Sequence, residues 1–162
     1  MSLERFHEAQ ARSWSGYDTA LAEIRAGGKR RHWIWYIFPQ IEGLGRSSTA
    51  RAYAIQDLGE ACAYLCDPIL RARYEEILAA VSEQLVRGIR LEDLMGSRTD
   101  ALKLVSSLTL FRAAAEHLGR ENPVYASLAE RLAELLGQIS GQGYPACDFT
   151  LARIDTVRRD IE

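Results

Sequence analysis

A chain of 162 residues, 48% hydrophobic and 26% charged, suits one globular domain spanning 1–162 and excludes disordered, collagen-like and coiled-coil classes. A formal net charge of −2 gives no global attraction to nucleic acid or to an anionic membrane. The longest apolar stretch, Trp33 to Phe38, is far shorter than the ~20 residues of a membrane helix, and the N-terminus lacks a signal-peptide profile, so a cytoplasmic location is expected.

Apolar spacing is helical along most of the chain. A short helix is expected from Leu3 to Arg12, and Tyr17, Leu21 and Ile24 then recur at steps of four and three before Gly27-Gly28 stops the pattern. Asp57 to Glu60 reads as a capping box opening a helix whose Leu58, Cys62 and Leu65 share a face. Asp67-Pro68 starts the next helix, because Asp caps it and Pro at its first position lacks an amide that would be unpaired anyway. That helix runs through Leu70, Tyr74, Ile77, Val81 and Leu85 to Gly88.

A further long helix is expected from Thr99-Asp100 to just before Gly119. Leu104, Leu108 and Phe111 mark one side of it, Leu102 and Val105 another, and two apolar sides predict a central helix. Asn122-Pro123 repeats the cap-plus-proline device ahead of Val124, Leu128, Leu132 and Leu135. The glycines of 137–143 predict a flexible stretch, after which Asp148 caps a last helix carrying Leu151, Ile154, Val157 and Ile161. No alternating strand pattern of useful length and no repeat occurs, so the expectation is an all-α domain of about six to eight helices.

The segment from Lys29 to Gln40 departs from this periodicity. It holds two of the three tryptophans and six consecutive large apolar residues, and without a second strand to pair its amides it reads as a short buried helix ending before Pro39. Trp33, Trp35, Tyr36 and Phe38 are then core residues, or one tryptophan walls a pocket. The turn from Ile41 to Ser48 holds two glycines, Arg46 and two serines. Its amides could face an anion, but it lacks the third glycine or the Gly-Lys-Ser ending of a nucleotide loop, and an ordinary turn with a serine cap explains it equally.

Of 20 basic residues only Lys29 and Lys103 are lysine, and arginine does not substitute freely for a compact ammonium. Asp100, Lys103 and Ser106 or Ser107 fall at helical steps of three and four, a polar stripe that is either solvated or faces a cleft. His32 is a candidate acid or base because imidazole titrates near neutrality, whereas His7 and His117 have no partner at an interpretable spacing. The cysteines Cys62, Cys66 and Cys147 are too few for a disulfide framework. Cys62 and Cys66 lie one helical turn apart without a nearby His, so they read as small buried hydrophobes, and neither a metal nor a cofactor is expected. A Ser-Lys nucleophile formed by Lys103 and Ser107 matches no motif in order or spacing.

Leu3-Glu4-Arg5-Phe6 with Ala9-Gln10, Lys29, His32-Trp33, Phe38-Pro39-Gln40, Gly43-Leu44-Gly45 with Arg46-Ser47, and Tyr53-Ala54-Ile55 form one run of motifs. Glu60-Ala61, Tyr64-Leu65, Pro68, Asp100, Lys103-Leu104, Ser106-Ser107 and Thr109-Leu110-Phe111 form a second. Together they resemble the bacterial domain-of-unknown-function family eighteen-ten, some members of which carry the label "calpastatin". The resemblance implies an all-α fold and no established activity. Ile34 stands where the family commonly has methionine, residues 97–99 depart from its usual phenylalanine-glycine and paired-aspartate form, and 119–147 match weakly.

These readings converge on a helical protein binding a small anionic ligand in a cleft between the His32–Gly45 and Asp100–Phe111 blocks. The expected ligand-binding residues are Lys29, His32, Trp33, Trp35, Gln40, Ser47, Lys103, Ser106 and Ser107. Were catalysis to occur there, His32 would serve as acid or base and Lys103 as electrostatic stabiliser. The alternative is a protein-interaction or structural module without small-molecule chemistry. The two differ in whether the polar motif residues meet at a concavity or disperse. Neither a membrane nor nucleic acid is an expected partner, and the sequence leaves the oligomeric state open.

Overall fold

The structure, a computed structural model, describes residues 2–161, with the side chains of 156–161 outside the description. The described residues form ten helices: α1 (Glu4–Gln10), α2 (Tyr17–Arg25), α3 (Ile34–Ile37), α4 (Ser48–Ala52), α5 (Leu58–Cys66), α6 (Pro68–Val86), α7 (Leu91–Met95), α8 (Arg98–Gly119), α9 (Pro123–Ser140) and α10 (Asp148–Ile161). The fold is all-α, as expected, but exceeds six to eight helices. The excess comes from the four- and five-residue helices α3, α4 and α7, since a single turn is too short to display a period. Among the described residues the β-structure is one isolated bridge between Ile41 and Ile55.

The long helices begin where side chains take up the orphan amides of a first turn. Asp57 accepts from the Glu60 amide at 2.9 Å, and Glu60 reaches back to the Gln56 amide at 3.1 Å, one residue before the cap. Asp67 ends α5 and caps α6, accepting the Ile69 and Leu70 amides at 3.0 Å. His7 on α1 reaches the other oxygen of that carboxylate at 2.7 Å, a partner sixty residues away that spacing could not indicate. Asn122 caps α9 through the Val124 amide, and Ser97 caps α8 through the Asp100 amide.

Helix α8 is central: α9, α5, α7, α10 and α3 all pack on it, and Leu104, Val105, Leu108 and Phe111 are buried. Leu102, assigned to a second apolar side, is exposed, as are Val124 and Leu151. Cys66, expected to be buried, also faces solvent, while Cys62 is partly buried against the core. Of the residues assigned to the last helix, Ile154 is buried, whereas the side chains of Val157 and Ile161 lie outside the described residues. The glycine-rich stretch is not a loose linker. Helix α9 continues through Gly137 to Ser140, and the Gln142 side chain accepts the Leu91 amide at 2.9 Å, which ties this corner to α7.

Gly96 turns the chain from α7 into α8 at φ +84°, and a Cβ there would stand 3.1 Å from the Lys29 carbonyl oxygen. Gly96→Ala is expected to cost about 1–2 kcal/mol by forcing a Cβ into the left-handed region. Urea denaturation measures it, and a loss below about 0.5 kcal/mol would mean that the turn relaxes freely.

Candidate functional site

The irregular segment between α2 and α3 is organised by one buried carboxylate. Glu23, near the end of α2, accepts the Arg30 and Arg31 amides and the Trp33 indole N–H on one oxygen, each at 2.9 Å, and the Arg31 guanidinium on the other at 3.0 Å. Burial acts to raise the Glu23 pKa. The amide bonds from Arg31 and Arg30, then the indole and guanidinium bonds, outweigh it and hold the group down at about 2, against an ordinary 4.5. The chain is thereby turned so that Trp33 is fully buried. The Lys29 amide donates to the Leu94 carbonyl at 2.7 Å, bringing this segment onto α7.

Lysine 29 therefore points at the first turn of α8. Its Nζ lies 2.7 Å from one Asp100 oxygen with the side chain only 6% exposed, and 5.1 Å above the Trp33 ring. One turn along α8, Lys103 approaches the second Asp100 oxygen at 3.6 Å with its side chain 27% exposed, and sits 5.1 Å above the Trp35 ring on α3. Two lysines, two tryptophans and one carboxylate thus form a single cluster. The carboxylate is shared unequally: the Lys29 distance is that of a charge-assisted hydrogen bond, whereas Lys103 stands beyond hydrogen-bond range and is held by Coulomb attraction and the ring face.

Gln40 lies beside this cluster. Its carbonyl accepts the Ile55 amide at 2.8 Å, and with Trp35, Gly45 and Tyr53 it lines a hollow of about 10 Å³, room for about one water. His32 is exposed, and its carbonyl receives the Tyr36 hydroxyl at 3.2 Å. The remaining hydroxyls are engaged elsewhere. Ser47 caps α4 through the Ala50 amide at 3.1 Å, Ser106 donates to the Leu102 carbonyl of its own helix at 3.0 Å, and Ser107 is fully buried against the Tyr74 hydroxyl at 3.0 Å. The Gly43-Leu44-Gly45 turn is likewise shaped by packing: Gly43 has φ +101° beneath the Phe149 ring, and a Cβ on Gly45 would lie 2.4 Å from the Ala50 Cβ.

The structure so brings together Lys29, Trp33, Trp35 and Lys103, with Gln40 alongside. Asp100, which spacing marks only as an ion-pair partner of Lys103, is the centre of the group. Nothing in the sequence pattern singles out Glu23. The one signal available is a carboxylate near a helix C-terminus, where the macrodipole disfavours it unless a specific partner compensates. A concavity of about 480 Å³ between α6 and α9 contains none of the expected residues. Among the described residues no three His, Cys, Asp or Glu side chains group as metal ligands would, and no helix is long and apolar enough to cross a membrane.

Because the folded-state pKa of Glu23 is depressed, its stabilisation is present in full above the ordinary value and is lost as pH falls toward the folded one. Wild type should lose about 2–3 kcal/mol between about pH 5 and pH 2 from this group. Glu23→Gln should be less stable than wild type at pH 7 by a similar amount, and the gap should close on acidification. Thermal melts of both proteins across that range check it, and a gap independent of pH would remove Glu23 from this role.

A crystal structure of the conserved hypothetical protein Rv1873 from Mycobacterium tuberculosis is similar to this fold, with 37% sequence identity, a TM-score of 0.76, and coverage of 93% of this chain and 94% of that one. No curated protein matches the chain. The family described as "Protein of unknown function (DUF1810)" matches residues 1–134, from α1 into α9 and across every residue of the lysine–tryptophan cluster, and the chain belongs to that family.

Proposed function

We propose that the protein, as a single cytoplasmic helical domain over 1–162, binds a small anionic ligand on the face formed by Trp35, Gln40 and Lys103, with Lys29 and Trp33 behind it. One observation carries this reading: two ammonium groups share the single carboxylate of Asp100, at 2.7 and 3.6 Å. The local charge is a net positive one, and the more exposed cation is the one less tightly held. Lys103 is the contact residue, since its Nζ can turn from Asp100 to a ligand oxygen without breaking a short hydrogen bond. Lys29, nearly excluded from water, contributes a fixed positive potential. The Trp35 ring lies 5.1 Å from the Lys103 Nζ and offers an apolar edge beside the anion.

Ser106 and Ser107 lie outside this reading, because their hydroxyls serve the helix and the core. His32 stays on the exposed rim, and the reading assigns it no proton transfer.

Replacing Lys103 with Ala should change stability by about 1 kcal/mol or less, as befits a partly exposed ion pair. Calorimetric titration of wild type, Lys103→Ala and Lys103→Arg with inorganic phosphate, nucleotides and dicarboxylates tests the binding. Wild type should bind at least one of these classes, Lys103→Ala should bind it about tenfold or more weakly, and Arg should rescue poorly because a planar fork does not reproduce a compact ammonium. Equal affinity in all three proteins would overturn the placement.

A further inference from the structure

We propose that the groove between α6 and α9 docks a basic amphipathic helix of a partner protein. On α6 the positions 75, 78, 79, 82, 83 and 86 follow steps of three and four, so they form one stripe, and that stripe faces the groove. It extends over twelve residues, eleven steps of 1.5 Å or about 16 Å, which is three helical turns. On α9 the facing positions run from Leu128 to Gln138, a matching length. The two walls enclose about 480 Å³.

The floor is made by the edges of Leu78, Leu128 and Leu135, whose side chains are otherwise buried in the core, with the exposed Ala79 on the α6 wall. At the far end Val86 is 75% exposed, an apolar side chain in water at the mouth of an apolar channel. At the other end Arg131 crosses from α9 to Glu75 on α6 at 3.2 Å and closes the groove. These features fit the apolar face of a short helix entering at Val86, with anchors at i, i+3 or i+4, and i+7.

The rims determine the charge of the occupant. Glu83 stands on one wall and Glu134 on the other. Glu83 is held only by an exposed pair with Arg87 on its own helix, at 3.0 Å, and such pairs contribute little. Among the described residues Glu134 makes no ion pair, and the Arg131 charge is already matched by Glu75. Two carboxylates therefore flank the open part of the floor, Glu83 matched by Arg87 and Glu134 without an ion pair among the described residues, so the lining carries a net negative charge. A helix carrying Lys or Arg on both edges of its apolar face is complementary, and one carrying Glu is repelled. This surface is independent of the lysine–tryptophan cluster, so the failure of either proposal leaves the other standing.

The test titrates the full chain with a synthetic helix of about fourteen residues, bearing leucines at the anchor positions and lysines on both flanks, followed by fluorescence anisotropy. A second peptide replaces the lysines with glutamates. The lysine peptide should bind, about tenfold or more tightly than the glutamate peptide, and weaken as salt rises. Glu134→Lys should cost about tenfold, and Ala79→Arg, at an exposed position in mid-helix, should abolish binding by filling the floor. Hydrogen exchange on wild type with bound peptide reads the site without any variant, and protection should concentrate in 75–86 and 128–138. No binding at concentrations up to about 100 μM, equal binding of both peptides, or protection elsewhere on the chain would each overturn the proposal.

Discussion

The arrangement of the lysine–tryptophan face depends on the Glu23 carboxylate. A carboxylate has about four acceptor positions, and here four donors from three residues converge on it, three on one oxygen and one on the other: two successive backbone amides, an indole N–H and a guanidinium. The segment after α2 has no regular structure in which to pair its own amides, so without Glu23 the Arg30 and Arg31 N–H groups and the buried Trp33 indole would be left without these acceptors. Each such loss costs about 1–3 kcal/mol when the group is buried. Glu23 therefore substitutes for a turn of helix, and in doing so it fixes where Lys29 points and how deep Trp33 sits. Gln84 supports the same corner from α6, donating to the Ile24 and Arg25 carbonyls at 3.0 and 2.7 Å and so capping the C-terminus of α2.

That placement separates the two lysines. In the sequence they are equivalent rarities among arginines. In the structure Lys29 is nearly dry, tightly paired and stacked, while Lys103 is partly wet and loosely paired. Taking an ammonium out of water is costly unless its partners are close, and for Lys29 those partners are the Asp100 oxygen and the Trp33 ring. A compact ammonium on a flexible stem fits beside the Asp100 oxygen and over the Trp33 ring with the side chain only 6% exposed, where a larger planar guanidinium would need more room. Lysine at position 29 thus has a packing reason of its own, whereas the looser pairing of Lys103 is what the proposed ligand reading rests on.

Elements whose causes are local were legible in the sequence. Asp57, Asp67 and Asn122 cap the helices that their positions predict, because a capping side chain acts on amides two or three residues away. The central position of α8 is implied by apolar residues spread around its circumference. Helix α7 was not legible: five residues carry no period, and its Gly96 stop resembles any loop glycine. The partners of Glu23, the pairing of His7 with Asp67, and the use of Ser107 by Tyr74 were also out of reach, since each joins positions distant in sequence or distinguishes a buried hydroxyl from an exposed one on the same helix. The candidate site was legible as a set of unusual residue types. Its centre, Asp100, was visible only as a neighbour of Lys103, because nothing local indicates that a second lysine arrives from seventy residues upstream.

Helix α10 lies beyond the stretch matched by the family, yet its Phe149 ring lies over Gly43 and its Arg153 faces Glu42 at 3.9 Å. A side chain at position 43 would meet that ring at 3.0 Å. The glycine therefore answers to the far end of the chain as well as to its own positive φ, and the two positions are constrained as a pair. Where related chains carry a different C-terminal helix, position 43 is released from one of its two constraints. In this chain a bulkier side chain at 43 would displace the Phe149 ring and, with it, the helix whose Arg153 faces Glu42.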